Sequence, residues 1–353
     1  MTQSRPTQVV DLFCGVGGLT RGLLDAGLNV VAGLDLDLNC RYAYETNNAP
    51  SRFIHADVNL IHADSISSLY AEDAVKILVG CAPCQPFSKY TKKSSKTADA
   101  QWALVSSFRK LIQQIKPDVV SMENVPELIH HGVFSQFVRS LKRLNYEVSF
   151  RVMNCADYGM PQERERLVLL ASRLGPIAFP EPDPKVSKKT VRDAIGHLAS
   201  IRAGGVAKND GLHKSCKLSE LNAVRIRKSK PGGTWRDWPV ELRAQCHMRK
   251  SGQTYPSVYG RMQWDKPSPT ITTQYFGYGN GRFGHPQQHR AISIREGALL
   301  QTFPESYRFV QDPADMKYAT LGRLIGNAVP VDLGKVIGTT IQAHLGQIKP
   351  HSK

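Results

Sequence analysis

Two cysteines, Cys81 and Cys84, lie in the segment GCAPCQPFS, directly after the apolar run VKILV. The carboxyl end of a buried strand is where α/β proteins place reactive groups, and a cysteine thiolate is a strong nucleophile. Zinc would need a second ligand pair, and the sequence has no other C-x-x-C and no H-x-H. A dithiol redox pair would open a helix, whereas Pro86 and Phe87 continue a loop. The pattern favours a nucleophilic cysteine over redox chemistry or a metal site.

A glycine-rich turn, DLFCGVGGLTRGLLDAG, follows the first apolar run. Gly15, Gly17 and Gly18 permit a tight turn and a close approach of a ligand to the next helix. Thr20 stands where a dinucleotide-binding turn has another glycine. Asp35 ends the next apolar run, where a carboxylate can accept hydrogen bonds from ribose hydroxyls. A nucleoside-containing cofactor without a pyrophosphate bridge is the favoured interpretation, and a purely structural turn is the alternative.

Charged side chains end two further apolar runs. In MENVPEL, partial desolvation of Glu123 would favour its protonated form and permit proton donation near neutrality. In PQERERLVLL, Arg164 and Arg166 alternate into a strand, and their guanidinium groups suit carbonyl or phosphate oxygens. Helix capping by Glu123 and charge alternation on an edge strand are the alternatives.

Apolar runs at regular intervals must position these residues. The runs predicted to be buried strands are VVDLF (9–13), NVVAGLD (29–35), VKILVG (75–80), DVVSME (118–123) and RLVLLAS (166–172). Helical spacing lies between them, most clearly at Leu104, Phe108, Leu111, Ile112 and Ile115. This alternation predicts an α/β fold with a doubly wound, mostly parallel sheet covered on both faces.

The residue pattern of the chain changes at PIAFPEPDP, which contains four prolines and ends at position 184. The pattern beyond it is irregular and basic, and helical periodicity returns near the C-terminus. A first domain is therefore predicted at 1–183 and 320–353, interrupted by a smaller, irregular, β-rich domain at 184–319.

The composition indicates a polyanionic partner. The 353 residues include 46 Lys+Arg against 30 Asp+Glu, a net charge of +16, which favours nucleic acid or an anionic membrane surface. No apolar run approaches the roughly 18 residues of a transmembrane helix, and the N-terminus has no apolar signal core. The seven scattered cysteines do not suggest a disulfide framework. An intracellular protein is expected.

In their order, these segments resemble the motifs of the prokaryotic DNA (cytosine-5)-methyltransferase family, over nearly the whole chain. DLFCGVGG is similar to the cofactor motif, GCAPCQPFS to the nucleophile motif, MENV to the Glu-Asn-Val motif and PQERER to the Gln-x-Arg-x-Arg motif. REGALLQTFPESY and GNAVP resemble the ninth and tenth motifs. The resemblance implies the Rossmann-like fold of S-adenosylmethionine-dependent methyltransferases.

The resemblance also implies a covalent mechanism. Cys84 would add to carbon 6 of cytosine and make carbon 5 nucleophilic toward the methyl group. Glu123 would contact nitrogen 3 and the exocyclic amine. Arg166 would hold the oxygen at position 2, with Arg164 supporting the loop or a phosphate. Because these contacts do not fit a stacked duplex, the target base would be flipped out of double-stranded DNA.

The positions that match the family's cofactor contacts come from both ends of the chain. Asp35 would hold the ribose, and Asp57 and Val58 would meet the adenine. The full set implied to bind S-adenosylmethionine is Phe13, Gly15, Gly17, Gly18, Leu19, Asp35, Leu36, Asp57, Val58, Leu104, Asn327 and Val329.

Residues 184–319 correspond to the family's target-recognition region, whose polar and aromatic side chains can read base edges. Thr270 matches a threonine that the family keeps there. The basic residues are expected to contact phosphates rather than bases. The predicted DNA contacts are Pro83, Gln85, Ser88, Arg225, Arg227, Lys228 and Thr270.

Three alternatives stay open. A tRNA cytosine methyltransferase of the same superfamily would carry a Cys-Phe-Thr signature, which the chain lacks. A non-catalytic DNA-binding regulator would not need Cys84 and Glu123, and a nicotinamide oxidoreductase is disfavoured by the glycine pattern. The favoured prediction is a monomeric, cytoplasmic enzyme, associated with the nucleoid through DNA and with no membrane or metal. It would act alone or beside a separate cognate restriction endonuclease.

Overall fold

The computed structural model describes residues 5–83 and 95–348, with the backbone alone described for 95–102. The chain forms two compact units. Unit 1 comprises the stretch up to Asn154, Glu165–Asp183 and the stretch from Val329, whereas unit 2 comprises Cys155–Arg164 and Pro184–Ala328.

A seven-stranded sheet forms the centre of unit 1. Its strands are β1 (Thr7–Leu12), β2 (Val30–Asp35), β3 (Arg52–His55), β4 (Val75–Gly80), β5 (Val119–Asn124), β6 (Glu147–Asn154) and β7 (Glu165–Ser172). They lie in the order β3-β2-β1-β4-β5-β7-β6. The first five are parallel, and β7 runs antiparallel to both of its neighbours. Every residue of β5 is buried, and because side chains alternate between faces, the sheet is covered on both.

Helices alternate with these strands, as predicted. Their bounds in chain order are α1 (Gly18–Asp25), α2 (Arg41–Asn47), α3 (Ala63–Ser67), α4 (Ser95–Ile115), α5 (Gly132–Arg143), α6 (Val191–Ile195), α7 (Glu220–Lys228), α8 (Gln245–Met248), α9 (Ile294–Leu300), α10 (Tyr318–Asn327) and α11 (Val331–Gln347). The predicted apolar stripe of α4 packs into the core beneath the sheet, with Phe108 and Ile112 buried and Leu104 partly buried. None of the helices in the described parts of the chain is long and apolar enough to cross a membrane.

All five predicted strands are present, and the doubly wound, mostly parallel sheet is confirmed. The sequence did not predict β3 and β6. β3 has only four residues, two of them exposed, and is too short for a clear pattern. β6 is an edge strand whose residues are exposed or partly buried except for Met153, so its apolar run is broken by charged and polar residues.

Unit 2 differs from the expectation of a β-rich domain, which is wrong. Its residues, all of them described, form isolated bridges such as Gln162 with Ser268 and Arg261 with Gly284, and no strand. Glycine and proline recur through this region and interrupt extended runs. A small core holds it together, formed by Ile226, Trp235, Trp238, Val258, Tyr278 and Ala291.

The unit boundaries differ from the expected domain boundaries at two places. Residues 155–164 belong to unit 2, and α10 belongs there too, although 320–353 was expected in the first domain. The division of labour between a catalytic and a target-recognition domain stays a prediction.

Candidate active site

The parallel strands of unit 1 bring most of the predicted residues to one edge of the sheet. Backbone hydrogen bonds continue the pairing just past the strand ends, from Cys14 to Leu34 at 3.0 Å and from Ala56 to Asp35 at 3.1 Å. The loops after β1, β2, β3 and β4 and the last residues of β5 therefore lie side by side. Ligands of open α/β sheets bind at this carboxyl edge.

Glu123 and Arg166, two of the predicted site residues, meet at this edge. The Nε of Arg166 lies 2.9 Å from Oε1 of Glu123, and the carboxylate is only 2% exposed. Glu123 lies within β5, so helix capping does not explain it. The second oxygen, Oε2, accepts a hydrogen bond from the thiol of Cys81 at 2.6 Å. A buried carboxylate with a donor on each oxygen has a fixed orientation.

Asn124 connects the end of β5 to the loop that follows β4. Its side-chain nitrogen donates to the carbonyl of Ala82 at 3.0 Å, and its oxygen accepts from the backbone of Val125 at 2.8 Å. The Glu-Asn pair thus holds the start of the loop that leads to Cys84. Pro83 is exposed there, while Cys84, Gln85 and Ser88 lie outside the described residues.

Arg164 has a different setting from Arg166. It is 2% exposed, and its guanidinium donates to the carbonyls of Ile271 at 2.9 Å, Gly326 at 3.2 Å and Ala328 at 3.3 Å. The guanidinium is buried among backbone oxygens and supports neighbouring segments of unit 2. Both roles expected of Arg164, support of the loop and contact with a phosphate, stay predictions.

The glycine turn has the backbone geometry that its sequence predicts. Gly15 and Gly17 have φ angles of 52° and 88°, in the left-handed region that glycine adopts without strain. The amide of Gly15 donates to Oδ2 of Asp35 at 2.8 Å, and the amide of Asp37 donates to Oδ1 at 2.8 Å. Desolvation raises the pKa of Asp35, although these amides oppose the shift. The glycine turn and the expected ribose-binding carboxylate of Asp35 are thus hydrogen-bonded to each other, immediately before the N-terminus of α1.

A buried polar network beneath this turn was missed. Thr20 donates to Oδ2 of Asp11 at 2.7 Å and lies 3.1 Å from the hydroxyl of Tyr44, which pairs with Ser51 at 2.7 Å. Burial raises the pKa of Asp11 to about 7. The signal was available, since Asp11 is an acid inside an apolar run and Thr20 stands at a glycine position. The network ties β1 to the first turn of α1.

The other expected cofactor residues of unit 1 fall into two groups. Leu36 is 61% exposed, and Asp57 orients its loop by accepting from the amide of Asn59 at 2.8 Å. Both are available to a ligand, as is partly buried Phe13. By contrast, Leu19 and Val58 are buried, so only their backbones can meet one. Toward the C-terminus, Asn327 ends α10 in unit 2, and Val329 opens the last stretch of unit 1.

The basic residues predicted to contact DNA in unit 2 also divide into buried and exposed side chains. Arg225 is 8% exposed, its guanidinium lies 5.5 Å from the ring centre of Trp238 and 5.2 Å from that of Tyr259, and its Nε donates to Leu242. This side chain packs into the core of unit 2, and the phosphate contact expected of Arg225 stays a prediction. Arg227 and Lys228, in the last turn of α7, are exposed.

Thr270 is a scaffold residue in this structure. Its hydroxyl donates to the carbonyl of Glu163 at 2.8 Å, and the next amide, that of Ile271, donates to the side chain of Gln162 at 2.8 Å. Together with Arg164, these bonds join the segment 162–164 to the segment 268–272 within unit 2.

The fold matches that of solved methyltransferase structures. A solved structure of a putative DNA modification methyltransferase encoded within a prophage of E. coli matches with a TM-score of 0.73 at 21% identity, over 97% of this chain and all of that one. The Dnmt2 methyltransferase of S. pombe matches with a TM-score of 0.60 at 16% identity, over 96% of this chain and 99% of that one. At these identities the likeness concerns the fold alone.

Sequence similarity identifies the family. The type II methylase M.HgiDII of Herpetosiphon aurantiacus is 53% identical over 96% of this chain and 95% of its own length. The type II methyltransferase M.Sau96I of Staphylococcus aureus is 30% identical over 98% and 78%. Residues 7–343 match the family described as C-5 cytosine-specific DNA methylase. The chain belongs to this family and is a DNA (cytosine-5)-methyltransferase.

Proposed function

We propose that the enzyme methylates cytosine within a short recognition sequence of double-stranded DNA, using S-adenosylmethionine and a covalent adduct of Cys84. The observation that carries the proposal is the buried Glu123 carboxylate. Arg166 holds one of its oxygens, and the adjacent Asn124 is bonded to the loop that leads to Cys84. A nucleophile and an oriented carboxylate on neighbouring strand ends suit addition to a heterocycle.

The residues present fit S-adenosylmethionine. The turn at Gly15 and Gly17 lies directly before the N-terminus of α1, with Gly15 partly buried. A helix N-terminus favours a carboxylate such as that of the cofactor's methionine part. Each oxygen of Asp35 accepts one backbone amide and has a further lone pair for a ribose hydroxyl. The exposed Leu36 offers an apolar surface for adenine. When bound, the cofactor supplies an electrophilic methyl group.

The protein's own part in the chemistry follows from these groups. The Cys84 thiolate would add to carbon 6, which places negative charge on the ring at nitrogen 3 and the exocyclic amine. Glu123 would meet that edge of the ring, and Arg166 would hold the oxygen at position 2. Carbon 5, made nucleophilic by this addition, would accept the methyl group, and loss of the carbon 5 proton to a base would then expel the thiolate. Since Glu123 is only 2% exposed, a base within a stacked duplex is out of its reach, which supports base flipping.

The proposed partners, DNA and a restriction endonuclease, rest on the charge of the protein and on its relatives. The net charge of +16 favours contacts with DNA phosphates, and exposed Arg227 and Lys228 are candidates for them. Two relatives carry the type II name, which supports a restriction-modification role with a separately acting endonuclease. Every residue assigned to the chemistry comes from one chain, which supports a monomer. Chromosomal DNA as substrate would place the enzyme at the nucleoid.

Covalent trapping tests this function. Fluorine at carbon 5 cannot leave as a proton does, so addition of Cys84 should end in a stable adduct. Purified enzyme, S-adenosylmethionine and double-stranded DNA amplified with 5-fluorodeoxycytidine triphosphate should yield a protein–DNA band that survives denaturing electrophoresis. Cys84→Ser should give no such band. Trapping on fluorinated RNA but not on this DNA, or an adduct with the Cys84→Ser protein, would contradict the proposal.

A further inference from the structure

Cys81, three residues before the proposed nucleophile, has a contact that the chemistry described so far does not use. It is the first residue after β4, and its amide donates to the carbonyl of Leu12 at 3.3 Å. This bond continues the pairing of β4 with β1 and fixes the backbone of Cys81. The half-buried side chain donates to Oε2 of Glu123 across 2.6 Å.

We propose that Cys81 is a positioning residue for cytosine methylation, whose thiol fixes the plane of the Glu123 carboxylate. The inference rests on the proposed function, in which Glu123 meets the cytosine ring. The last torsion of a glutamate side chain is broad, with no sharp staggered minimum. One donor, Arg166 on Oε1, restrains only one oxygen, so the plane of the carboxylate can still tilt about this torsion. A second donor on Oε2 removes that freedom.

The thiol and the base do not compete for the same lone pair. Each carboxylate oxygen can accept two hydrogen bonds, so the exocyclic amine of cytosine can approach Oε2 while the thiol stays bonded. The contact can therefore persist through the reaction. Its loss would act on the rate of the chemical step, since an oriented carboxylate counts most where charge develops in the transition state.

Comparing serine and alanine at position 81 tests whether Cys81 positions Glu123 through its hydrogen bond or only fills space. If the side chain only filled space, Cys81→Ala and Cys81→Ser would both perturb the loop, and the polar hydroxyl would bring no advantage. If the side chain positions Glu123, serine restores a donor on the same Cβ and alanine does not. Cys216→Ala is the matched control, because Cys216 is also half-buried but lies in unit 2.

The experiment compares steady-state methylation by the full chain and these three variants, with kcat and the KM values for DNA and for S-adenosylmethionine. Cys81→Ala should lower kcat by roughly 10-fold, the order expected for a lost hydrogen bond to a charged group. The KM for S-adenosylmethionine should stay within about twofold, because Asp35 and the glycine turn keep their contacts. Cys81→Ser should recover to within about threefold of the unmodified enzyme.

Two results would overturn the inference while the unmodified enzyme is active. The first is a kcat for Cys81→Ser as low as that of Cys81→Ala, and the second is no loss of kcat in Cys81→Ala. Inactivity of both the unmodified enzyme and Cys216→Ala on DNA would instead remove the proposed function, and the inference with it. Should Cys81→Ala fail to fold, recovery is judged from Cys81→Ser alone, whose kcat must then stay within the stated range.

Discussion

Replacing Asp11 by asparagine should change how the stability of the enzyme depends on pH. Asp11 lies in β1 and is fully buried, and its Oδ2 accepts a hydrogen bond from Thr20 of α1. Burial raises the pKa of its carboxyl from 3.8 to about 7. Asparagine has nearly the same shape, keeps an oxygen for Thr20 and does not ionise. The substitution therefore removes the titration while keeping the hydrogen bond.

The sign and size follow from the two pKa values. The folded state holds the proton of Asp11 up to about pH 7, while the unfolded chain releases it near pH 3.8. The free energy of unfolding contributed by this group is greatest below pH 3.8, falls as the pH rises toward 7 and is level above it. A difference of about 3 pKa units corresponds to about 4 kcal/mol. Between pH 5 and pH 8 the loss is about 2 to 3 kcal/mol.

Urea denaturation of the Asp11→Asn and unmodified proteins at pH 5, 6, 7 and 8 measures this loss. The stability of Asp11→Asn relative to the unmodified protein should rise by about 2 to 3 kcal/mol across the series. Titrating groups that do not interact with Asp11 cancel because both proteins carry them. Glu72→Gln, at an exposed position, should stay parallel to the unmodified protein. Parallel curves for Asp11→Asn would refute the reasoning, as would a difference that shrinks with pH.

Three further perturbations test other parts of the structure. Gly22→Ala should lower the free energy of unfolding by about 1–3 kcal/mol, because its Cβ would lie 2.2 Å from the carbonyl oxygen of Val331 in α11. Gly132→Ala, with open space around it, should leave the free energy of unfolding unchanged. Equal losses for the two variants in urea denaturation would contradict the close packing at Gly22. Arg166→Lys should lower kcat by roughly 10-fold or more, because an ammonium cannot reproduce the Nε contact with Glu123, and an unchanged kcat in methylation kinetics would exclude that contact from the reaction. DNA affinity should fall steeply between 50 and 200 mM salt, by at least roughly 10-fold, and a flat titration in a filter-binding assay would remove the phosphate contacts inferred from the net charge.

The sheet and its catalytic edge were predictable because their signals are local. Buried parallel strands appear as continuous apolar runs, and five of them matched observed strands closely. The carboxyl edge then follows from the parallel order, which places Asp35 and Glu123 at the same edge of the sheet. The meeting of Glu123 with Arg166 follows from the pairing of β5 with β7.

Contacts between residues distant in the sequence were not predictable from the same patterns. Arg225 and Arg227 are both basic residues of α7, but only the fold shows that Arg225 is enclosed by Trp238 and Tyr259. Likewise, the sequence shows Cys81 as half of a C-x-x-C pair, while its contact with Glu123 depends on the register of β4 and β5. The lack of strands in unit 2 reflects many weak local preferences of glycine and proline, which no single motif displays.

The most direct test of the central claim is bisulfite sequencing of the genome of a methylation-free bacterial host that expresses this enzyme, with a host expressing Cys84→Ser as the control. Methylated cytosines confined to one short sequence motif, and absent with Cys84→Ser, are the predicted result and would also reveal the recognition sequence. An unmethylated genome in cells that contain folded enzyme, or the same methylation with Cys84→Ser, would contradict cytosine methylation through Cys84.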